Sequence, residues 1–410
     1  MDNNLLAING GKPVISVPFP KYSSFDEKEL EAVKRVMKSG VLSGYVGDLT
    51  SEFMGGPEVQ ALEKKAAILF NVNYVVAVNS WTSGLVCAVG ALDLPKNSEV
   101  ITSSWTMAAT ATCLLPWNLI PIFADIDSRT FNLNPIEVEK LINKRTRAII
   151  APDIFGQSCN IEKLKDLCIK YDLKLISDSA QAPMATRNDY FAGTRADIGG
   201  ISLNHHKHIS CGEGGLLFTD DEEIYKRLLL IRNHGEVLVG KGYKVSDKEG
   251  IYGFNFRLGE LESAITSCQL DKLPGKVKSR QLAASRLSEG LSEIEGLELP
   301  YVEEINTHAY YIYGIKLSQE KFPDRNKIVD ELKAEGLSFV MKGYQNIHKL
   351  PIYEKKYRND GVITNKKTNL SQTEFLHENS FIGINLCAHE YTEIECELII
   401  RAFKKVLMKT

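Results

Sequence analysis

The stretch DIGGISLNHHKHISCGEGGLLFT, residues 197–219, places two short apolar segments on either side of a lysine and a glycine-rich turn. Continuous apolar runs of this length are typical of strands that are covered on both faces. The segments Asp197–Ser202 and Gly215–Thr219 are therefore predicted to be buried strands. Five further candidates precede them, at Tyr74–Asn79, Glu99–Ser103, Ile120–Ala124, Arg147–Ala151 and Leu173–Ser177.

Amphipathic stretches separate these segments along the chain. In NIEKLKDLCIK, at Asn160–Lys170, the apolar residues have helical spacing. Strands that alternate with helices predict a largely parallel α/β sheet. Because crossover connections are right-handed, the carboxyl ends of such strands meet at one edge of the sheet, and we expect any ligand to bind there.

The pattern changes from about residue 256. Helices are predicted at Phe256–Leu273 and Pro274–Ile294, after Pro323 and from Thr392, with a strand at Tyr310–Lys316. We therefore expect an N-terminal arm at residues 1–25, a large α/β domain at 26–274 and a smaller α+β domain at 275–410.

Two capping boxes are predicted from spacing alone. Thr392 and Glu395 have this spacing at the last helix, and Ser24 and Glu27 have it before a first helix at Asp26–Lys38. Each pair would satisfy the free N–H groups at the start of its helix.

The composition limits the classes of function. Of the 410 residues, 25% are charged and 44% hydrophobic, as in ordinary soluble proteins, and the net charge of −3 argues against a bulk electrostatic binder of nucleic acid. Apolar runs such as VVAVN at 75–79 are too short to cross a bilayer, and the first residues lack the pattern of a signal peptide. Eight scattered cysteines without a Cys-x-x-Cys pair predict reduced thiols in a cytoplasmic protein.

Lys207 follows the predicted strand at 197–202 and precedes the glycine-rich turn. Lysine is rarely buried without a task, because its ammonium group is costly to desolvate. Desolvation lowers the pKa of the amine, which suits a lysine that forms a Schiff base. An isolated lysine of this kind is more often an exposed loop residue.

Other polar residues follow the predicted strands. Asp178, at the carboxyl end of ISD, could keep a pyridine nitrogen protonated, and Gln181 lies one helical turn further on; the alternative for Asp178 is a helix N-cap. Ser80 and Thr82 in VNSWTSGL, residues 78–85, could hold a phosphate at a helix N-terminus or simply cap that helix. Trp105 could stack on an aromatic cofactor, or pack in the core.

Together these residues resemble the DegT/DnrJ/EryC1/StrS group of pyridoxal-phosphate (PLP) enzymes, the sugar aminotransferases, which have the aspartate-aminotransferase fold called fold type I. The resemblance runs through most of the chain. Further matches are GPEVQALE at 56–63, PIFADID at 121–127, FGQ at 155–157, RNHG at 232–235 and GFNFR at 253–257. The resemblance implies a large, mostly parallel mixed sheet with a smaller α+β C-terminal domain.

The resemblance also implies roles for single residues. Lys207 matches the lysine that binds PLP covalently, Asp178 the partner of the pyridine nitrogen, and Gln181 the residue at the phenolic oxygen. Ser80, Trp81, Thr82 and Ser202 fall at phosphate-binding positions, Trp105 at a ring-stacking position, and Asn255 at that of an asparagine reaching the phosphate of a neighbouring subunit. The last match implies a homodimer with shared active sites.

Three departures from the family pattern concern the substrate pocket. The phosphate turn is Ser80-Trp81-Thr82 instead of Ser-Gly-Thr, and we expect the Trp81 backbone N–H to keep its role while the side chain turns towards the substrate. Asn204-His205-His206 replaces His-Pro-Thr before the lysine. Asp153 stands where many members have a histidine.

The histidines beside Lys207 raise two alternatives. His205, His206 and His208 could bind a metal, but no distant set with ligand spacing accompanies them, so no metal is predicted. Dehydratases of the same family carry histidine in place of the lysine, and an alignment slip of one residue would put His206 or His208 in that position. Counting back from Gly212 places Lys207 there, which favours amino transfer.

The predicted reaction moves an amino group from L-glutamate or L-glutamine to a keto group of a sugar nucleotide, in cell-surface glycan or secondary-metabolite biosynthesis. A free cyclitol ketone, a small phosphorylated ketone, a dehydratase reaction and a non-catalytic regulatory role are the alternatives. Lys342, Tyr344 and His348 are predicted to line the acceptor pocket, and the segments 40–56 and 237–250 are further candidates for substrate contacts.

Overall fold

A computed structural model describes residues 5–47, 51–235, 251–354 and 369–408 of the chain. The candidate substrate segment at 237–250 lies outside the described residues. The described helices, leaving out short 3₁₀ and π turns, are α1 (Glu27–Ser39), α2 (Pro57–Phe70), α3 (Trp81–Ala91), α4 (Ala109–Thr112), α5 (Pro135–Leu141), α6 (Ile161–Tyr171), α7 (Glu222–Arg232), α8 (Glu260–Leu291), α9 (Arg325–Ala334), α10 (Pro351–Glu354), α11 (Ser371–Phe375) and α12 (Glu393–Leu407). The described strands are β1 (Tyr74–Val78), β2 (Glu99–Ser103), β3 (Ile120–Ala124), β4 (Thr146–Pro152), β5 (Lys174–Asp178), β6 (Thr186–Arg187), β7 (Tyr190–Phe191), β8 (Ile198–Ser202), β9 (Gly215–Thr219), β10 (Leu297–Glu298), β11 (Ile312–Leu317), β12 (Val340–Met341) and β13 (Phe381–Asn385).

Seven strands form the large sheet, in the order β1-β9-β8-β5-β4-β2-β3. Strand β9 runs antiparallel to both of its neighbours, and the other neighbouring pairs are parallel. All seven strands begin and end within one residue of the predicted bounds. The predicted fold class, a large mixed and mostly parallel sheet with a smaller C-terminal unit, is confirmed.

The strands have continuous apolar runs because helices cover both faces of the sheet. In β1, Val76 and Val78 pack in the same cluster as Leu85 of α3. Val75 points to the other face, where it shares a cluster with Leu62 of α2. Successive residues of a strand point to opposite faces. A strand whose two faces are both buried is therefore apolar throughout, instead of alternating between apolar and polar residues.

A second, antiparallel sheet of four strands has the order β10-β11-β13-β12. Helices α9, α12 and the second half of α8 cover it in a separate apolar core that contains Leu287, Tyr313, Leu332, Ile384 and Phe403. This is the smaller α+β unit that the C-terminal pattern predicted.

Helix α8 runs unbroken through Pro274, so the prediction of two helices that meet at this proline is wrong. Proline removes one N–H and crowds one carbonyl, but packing along a long helix can outweigh that loss. The first half of α8 contacts α1 and α2, and the second half contacts α12. The predicted domain boundary at 274 and 275 falls inside this helix, and the division of the chain there stays a prediction.

The capping box of the first helix differs from the predicted one. The Asp26 carboxylate accepts a hydrogen bond from Lys28 N, and Glu29 accepts one from Asp26 N. Ser24 and Glu27 do not form the box, because Ser24 is buried and its carbonyl accepts from Gln269 instead. The box at Thr392 and Glu395 is confirmed.

Candidate active site

The carboxyl ends of the parallel strands surround a cavity of about 410 Å³. This volume lies within the range of about 300–1,000 Å³ that is common for small-molecule sites. Eight of the predicted site residues line it, namely Ser80, Trp81, Thr82, Asp178, Gln181, Ser202, Lys207 and Tyr344. Residues from distant parts of the sequence meet here because β1, β4, β5 and β8 end at the same edge of the sheet.

Lys207 extends its amine into this cavity from the turn that follows β8. Its Nζ lies 4.3 Å from the centre of the Tyr311 ring. The amine faces an enclosed space, and burial lowers the pKa of Lys207 to about 8, although the negative charge of Asp178 acts in the opposite direction. A lysine with this pKa has a substantial fraction of neutral, nucleophilic amine near neutral pH.

Asp178 is the last residue of β5, and hydrogen bonds hold both of its carboxylate oxygens. Oδ1 accepts from the indole Nε1 of Trp81 at 2.6 Å, and Oδ2 accepts from Oγ1 of Thr110 at 2.7 Å. No helix begins directly after Asp178, so the alternative of a helix N-cap does not describe it. The carboxylate is aimed into the cavity instead.

Gln181 is fixed by the backbone on one side and by a tyrosine on the other. Its Oε1 accepts from Phe155 N at 2.9 Å, and its Nε2 donates to the Tyr344 hydroxyl at 3.1 Å. Phe155 has φ 58° and ψ −4°, a left-handed conformation that is unusual for a bulky residue. This turn presents the Phe155 N–H to Gln181, which leaves the second N–H of the amide for a ligand.

Ser80 and Thr82 lie at the N-terminus of α3. The Ser80 hydroxyl caps the helix by accepting from Ser83 N at 3.0 Å, so the predicted capping role holds together with the position in the cavity wall. Ser202, at the end of β8, lines the same region. Hydroxyl groups beside free N–H groups at a helix N-terminus are well suited to bind a phosphate.

We expected the Trp81 side chain to turn towards the substrate. Instead it turns towards the sheet. Its indole donates to Asp178, and its ring lies on β8 at Gly200, where a Cβ atom would be 2.4 Å from the ring. The ring can occupy this place because Gly200, in the middle of β8, has no side chain.

Trp105 lies outside the cavity wall and is fully buried. Its Nε1 donates to Tyr344 O at 2.8 Å, and its ring packs at steep angles against Phe131, Phe155 and Phe381. The predicted stacking on a cofactor ring is therefore not what the structure shows. Core packing, the alternative, describes this tryptophan.

Of the three predicted acceptor contacts, only Tyr344 lines the cavity. The ring of His348 lies between Ser104, at 2.5 Å, and Glu374, at 3.1 Å. Lys342 offers its carbonyl to Arg325. Among the described residues of the 40–56 segment, none is in the cavity wall. These positions do not support the substrate contacts predicted for His348, Lys342 and the 40–56 segment.

Asn255 is exposed and lies outside the wall of the cavity in its own chain. Its backbone carbonyl accepts from Asn79 Nδ2 at 3.3 Å, one residue before the start of the phosphate turn. The role at the phosphate of a neighbouring subunit stays a prediction.

Sequence reasoning missed Thr110 and Tyr311. Thr110 lies in the four-residue helix α4 and Tyr311 immediately before β11. A strand or helix pattern cannot show which distant side chain a residue will contact, and no motif marks either position. Burial and proximity to Cys387 raise the pKa of Tyr311 to about 12, so its hydroxyl keeps its proton at neutral pH.

The neighbouring histidines and Asp153 have structural partners. His208 is buried, with Nε2 2.8 Å from Ala309 O, and burial lowers its pKa to about 3. Asp153 is buried and accepts from Ser177 and Ser179, and desolvation raises its pKa. Within the described ranges, no group of three or more His, Cys, Asp or Glu side chains is arranged to hold a metal ion.

The fold and the lysine-centred cavity define an aminotransferase of the fold type I class. The chain belongs to the DegT/DnrJ/EryC1/StrS aminotransferase family, whose model matches residues 24–379. The family and its structural neighbours imply PLP as the cofactor. Among the helices of the described ranges, none is long and apolar enough to cross a membrane.

Two relatives illustrate the range of the family. The chain is 30% identical over 301 residues to GDP-perosamine synthase of Vibrio cholerae, covering 73% of this chain and 80% of that protein. It is 28% identical over 320 residues to L-glutamine:2-deoxy-scyllo-inosose aminotransferase of Streptomyces lividus, covering 77% and 74%.

A solved structure of a dehydratase shares the fold. GDP-4-keto-6-deoxymannose-3-dehydratase with a trapped PLP–glutamate geminal diamine superposes with a TM-score of 0.80 at 25% identity, over 95% of this chain and all of that chain. The fold alone therefore does not separate the two reactions.

Proposed function

We propose that this cavity binds pyridoxal 5′-phosphate and that the protein transfers an amino group from L-glutamate or L-glutamine to a keto group of a sugar nucleotide. One observation carries the proposal: groups complementary to four parts of PLP line one cavity. Lys207 suits the aldehyde carbon, Asp178 the ring nitrogen, Gln181 the phenolic oxygen, and the N-terminus of α3 the phosphate.

Bound there, PLP would withdraw electrons from the α-carbon of the amino donor and carry the amino group between the two half-reactions. The protein supplies position and charge. Ser80, Thr82 and Ser202 would hold the phosphate end, and Asp178 would keep a proton on the ring nitrogen at the opposite end. Gln181, whose amide orientation is fixed by Phe155, would donate its free N–H to the phenolic oxygen.

Lys207 is the group that would move protons. Its lowered pKa leaves the amine able to accept a proton from the α-carbon of the donor and to return it to the cofactor side. A positioned base of this kind contributes typically about 10²–10⁴-fold to a rate. Tyr311 lies against the amine and would limit the directions in which it can move.

The lysine also separates amino transfer from the dehydratase reaction. In the dehydratases of the family that this chain resembles, histidine replaces this lysine. Here Lys207 reaches the cavity, whereas His208 points into the core and bonds to Ala309 O. His206 lines the cavity but is exposed, and its ring centre lies 3.6 Å from that of His205. These positions favour amino transfer.

A sugar nucleotide is the acceptor that we propose, and the similarity to GDP-perosamine synthase, at 30% identity, supports it. A cyclitol ketone is the second candidate, because the Streptomyces lividus relative acts on 2-deoxy-scyllo-inosose, as its name states. We place the reaction in the cytoplasm, in cell-surface glycan or secondary-metabolite biosynthesis. The scattered spacing of the eight cysteines, without a Cys-x-x-Cys pair, supports this location.

The cofactor assignment is tested by trapping. Purified full-length protein is incubated with PLP and borohydride, digested, and analysed by mass spectrometry. We expect a pyridoxyl group on Lys207 and its loss in Lys207→Ala, whereas Lys163→Ala, at an exposed position on α6, behaves like the wild type. Trapping on another lysine in the wild type would contradict the assignment.

The acceptor is tested with a panel that contains nucleotide-linked ketosugars, a free cyclitol ketone and a phosphorylated ketone. Glutamate and glutamine are supplied as donors, and the aminated product is identified by mass. An aminated sugar nucleotide is the expected product. Amination of the cyclitol alone would replace the acceptor, loss of water without amination would indicate a dehydratase, and PLP binding without any exchange would indicate a regulatory protein.

A further inference from the structure

The Trp81 side chain forms a short hydrogen bond to the carboxylate at the end of β5. Its indole N–H donates to Oδ1 of Asp178 at 2.6 Å, and the whole residue is only 6% exposed. Building on the PLP-dependent function proposed above, we propose that Trp81 is a positioning residue: it sets the orientation in which Asp178 meets the pyridine nitrogen of the cofactor.

Two glycines without side chains, Gly200 and Gly84, make room for the indole ring of Trp81. A Cβ atom at Gly200 would lie 2.4 Å from Cζ3 of Trp81, and one at Gly84 would lie 2.9 Å from Cε3. Both distances are shorter than a real contact between such atoms, so a side chain at either position would displace the ring. The indole therefore occupies a slot between α3 and β8 whose shape directs its N–H to Asp178.

Thr110 completes the arrangement from the other side. Its hydroxyl donates to Oδ2 of Asp178 at 2.7 Å, whereas Oδ1 accepts from Trp81 and, at 3.4 Å, from Ala180 N. A carboxylate oxygen can accept about two hydrogen bonds, so Oδ2 keeps capacity for the N–H of a pyridinium ring. Two donors on different oxygens resist rotation of the carboxylate, and because both are uncharged they leave its negative charge available to the cofactor.

This arrangement depends on the residue by which the phosphate turn departs from the family pattern, Trp81 in place of glycine. The backbone of residues 80–82 remains at the start of α3, whereas the side chain of Trp81 reaches from this turn to the residue that faces the ring nitrogen. One residue thus joins the two ends of the predicted cofactor site. A hydrogen bond to a charged acceptor is a strong one, so its loss is expected to affect how firmly the carboxylate is held.

The test removes each donor without emptying its place. Trp81→Phe keeps an aromatic ring in the slot but has no N–H, and Thr110→Val keeps the shape of threonine. Each holoenzyme is prepared with PLP carrying ¹⁵N in the ring, and the ¹⁵N chemical shift is measured by NMR. In both variants we expect the signal to move from the protonated towards the unprotonated position, with kcat/KM lowered about 10- to 100-fold.

Trp117→Phe is the matched control, since its indole also donates one hydrogen bond, to Val86 O at 2.8 Å, but lies outside the cavity wall. This variant should keep the wild-type ¹⁵N shift. A wild-type shift in Trp81→Phe would overturn the inference while leaving PLP catalysis intact. If the wild type itself binds no PLP, the proposed function fails instead. If Trp81→Phe does not fold, Trp81→Leu, which also lacks the N–H, is measured in the same way.

Discussion

The amine of Lys207 has a property that distinguishes it from an ordinary surface lysine. Burial lowers its pKa from 10.5 to about 8. If Lys207 binds PLP as proposed, its neutral amine would react with the aldehyde of the cofactor, so the rate of covalent attachment to cofactor-free protein should rise with pH, reach half of its maximum near pH 8, and be constant above that. The rate is measured by stopped-flow absorbance.

N-α-acetyl-lysine under the same conditions provides the comparison, because its amine has an ordinary pKa and its rate continues to rise towards pH 10.5. Identical profiles for the protein and the free amino acid would contradict a desolvated Lys207. Asp178 acts against the desolvation, so Asp178→Asn should move the midpoint for the protein below pH 8.

Asp178 itself is the second prediction at this scale. An amide in its place cannot hold the positive charge of a protonated ring nitrogen, so Asp178→Asn should lower turnover by several orders of magnitude while the cofactor still attaches to Lys207. Turnover and borohydride trapping are measured on the same preparation. Near-normal turnover would show that the carboxylate has another task.

Single residues also show where sequence reasoning reaches its limit. Lys207, Asp178 and Gln181 were predicted because each follows a strand whose end is fixed by a local apolar pattern. The direction of the Trp81 side chain was not predicted, because it depends on Gly200, which lies in a distant strand. His348 likewise turns to Ser104 and Glu374, which no local pattern connects to it.

At the scale of elements, a buried ion pair joins α2, β1 and α7. Arg232, at the end of α7, is fully buried and contacts Glu63 of α2 at 2.5 Å, and Glu63 also accepts from Ala77 N of β1. Because Glu63→Gln leaves a buried cation without its counter-charge, we expect it to lower the free energy of unfolding by about 3–5 kcal/mol. Urea denaturation measures this loss.

The matched substitution Glu223→Gln breaks an exposed pair with Lys226 and should leave the urea midpoint unchanged. In addition, Glu63→Gln combined with Arg232→Met should cost less than the sum of the two single changes, since the double variant no longer buries an unpaired charge. Strict additivity would mean that the two side chains are not coupled.

The elements were predicted where one short-range pattern decides them. The seven strands of the large sheet are runs of apolar residues between helices, and their bounds follow from sequence to within one residue. Helix α8 was divided at Pro274 because the local rule for proline ignores what lies against the helix. Contacts with α1 and α2 on one side and with α12 on the other hold it together, and these are long-range.

At the scale of the whole molecule, one residue of the predicted site lies away from the cavity of its own chain. Asn255 matches an asparagine that binds the phosphate of a neighbouring subunit, and in this chain it is exposed and outside its own cavity wall. Backbone hydrogen bonds from Phe254 N to Ile231 O and from Asn79 N to Phe256 O fix its segment at the surface. A fixed, exposed residue of this kind fits a site shared between two subunits.

A shared site has a consequence that no single variant reveals. Lys207→Ala lacks the amine, and Asn255→Ala lacks the contact from the neighbouring subunit, so each homodimer should have little activity. In a mixed dimer one site carries both changes and the other carries neither. When the two variants are unfolded, mixed in equal amounts and refolded with PLP, about a quarter of all sites should be intact, and activity should return to about that fraction of wild type.

Each variant refolded alone provides the control. If the mixture is no more active than the two variants separately, Asn255 serves its own subunit or none, and the dimer, which light scattering would report independently, does not share its active sites.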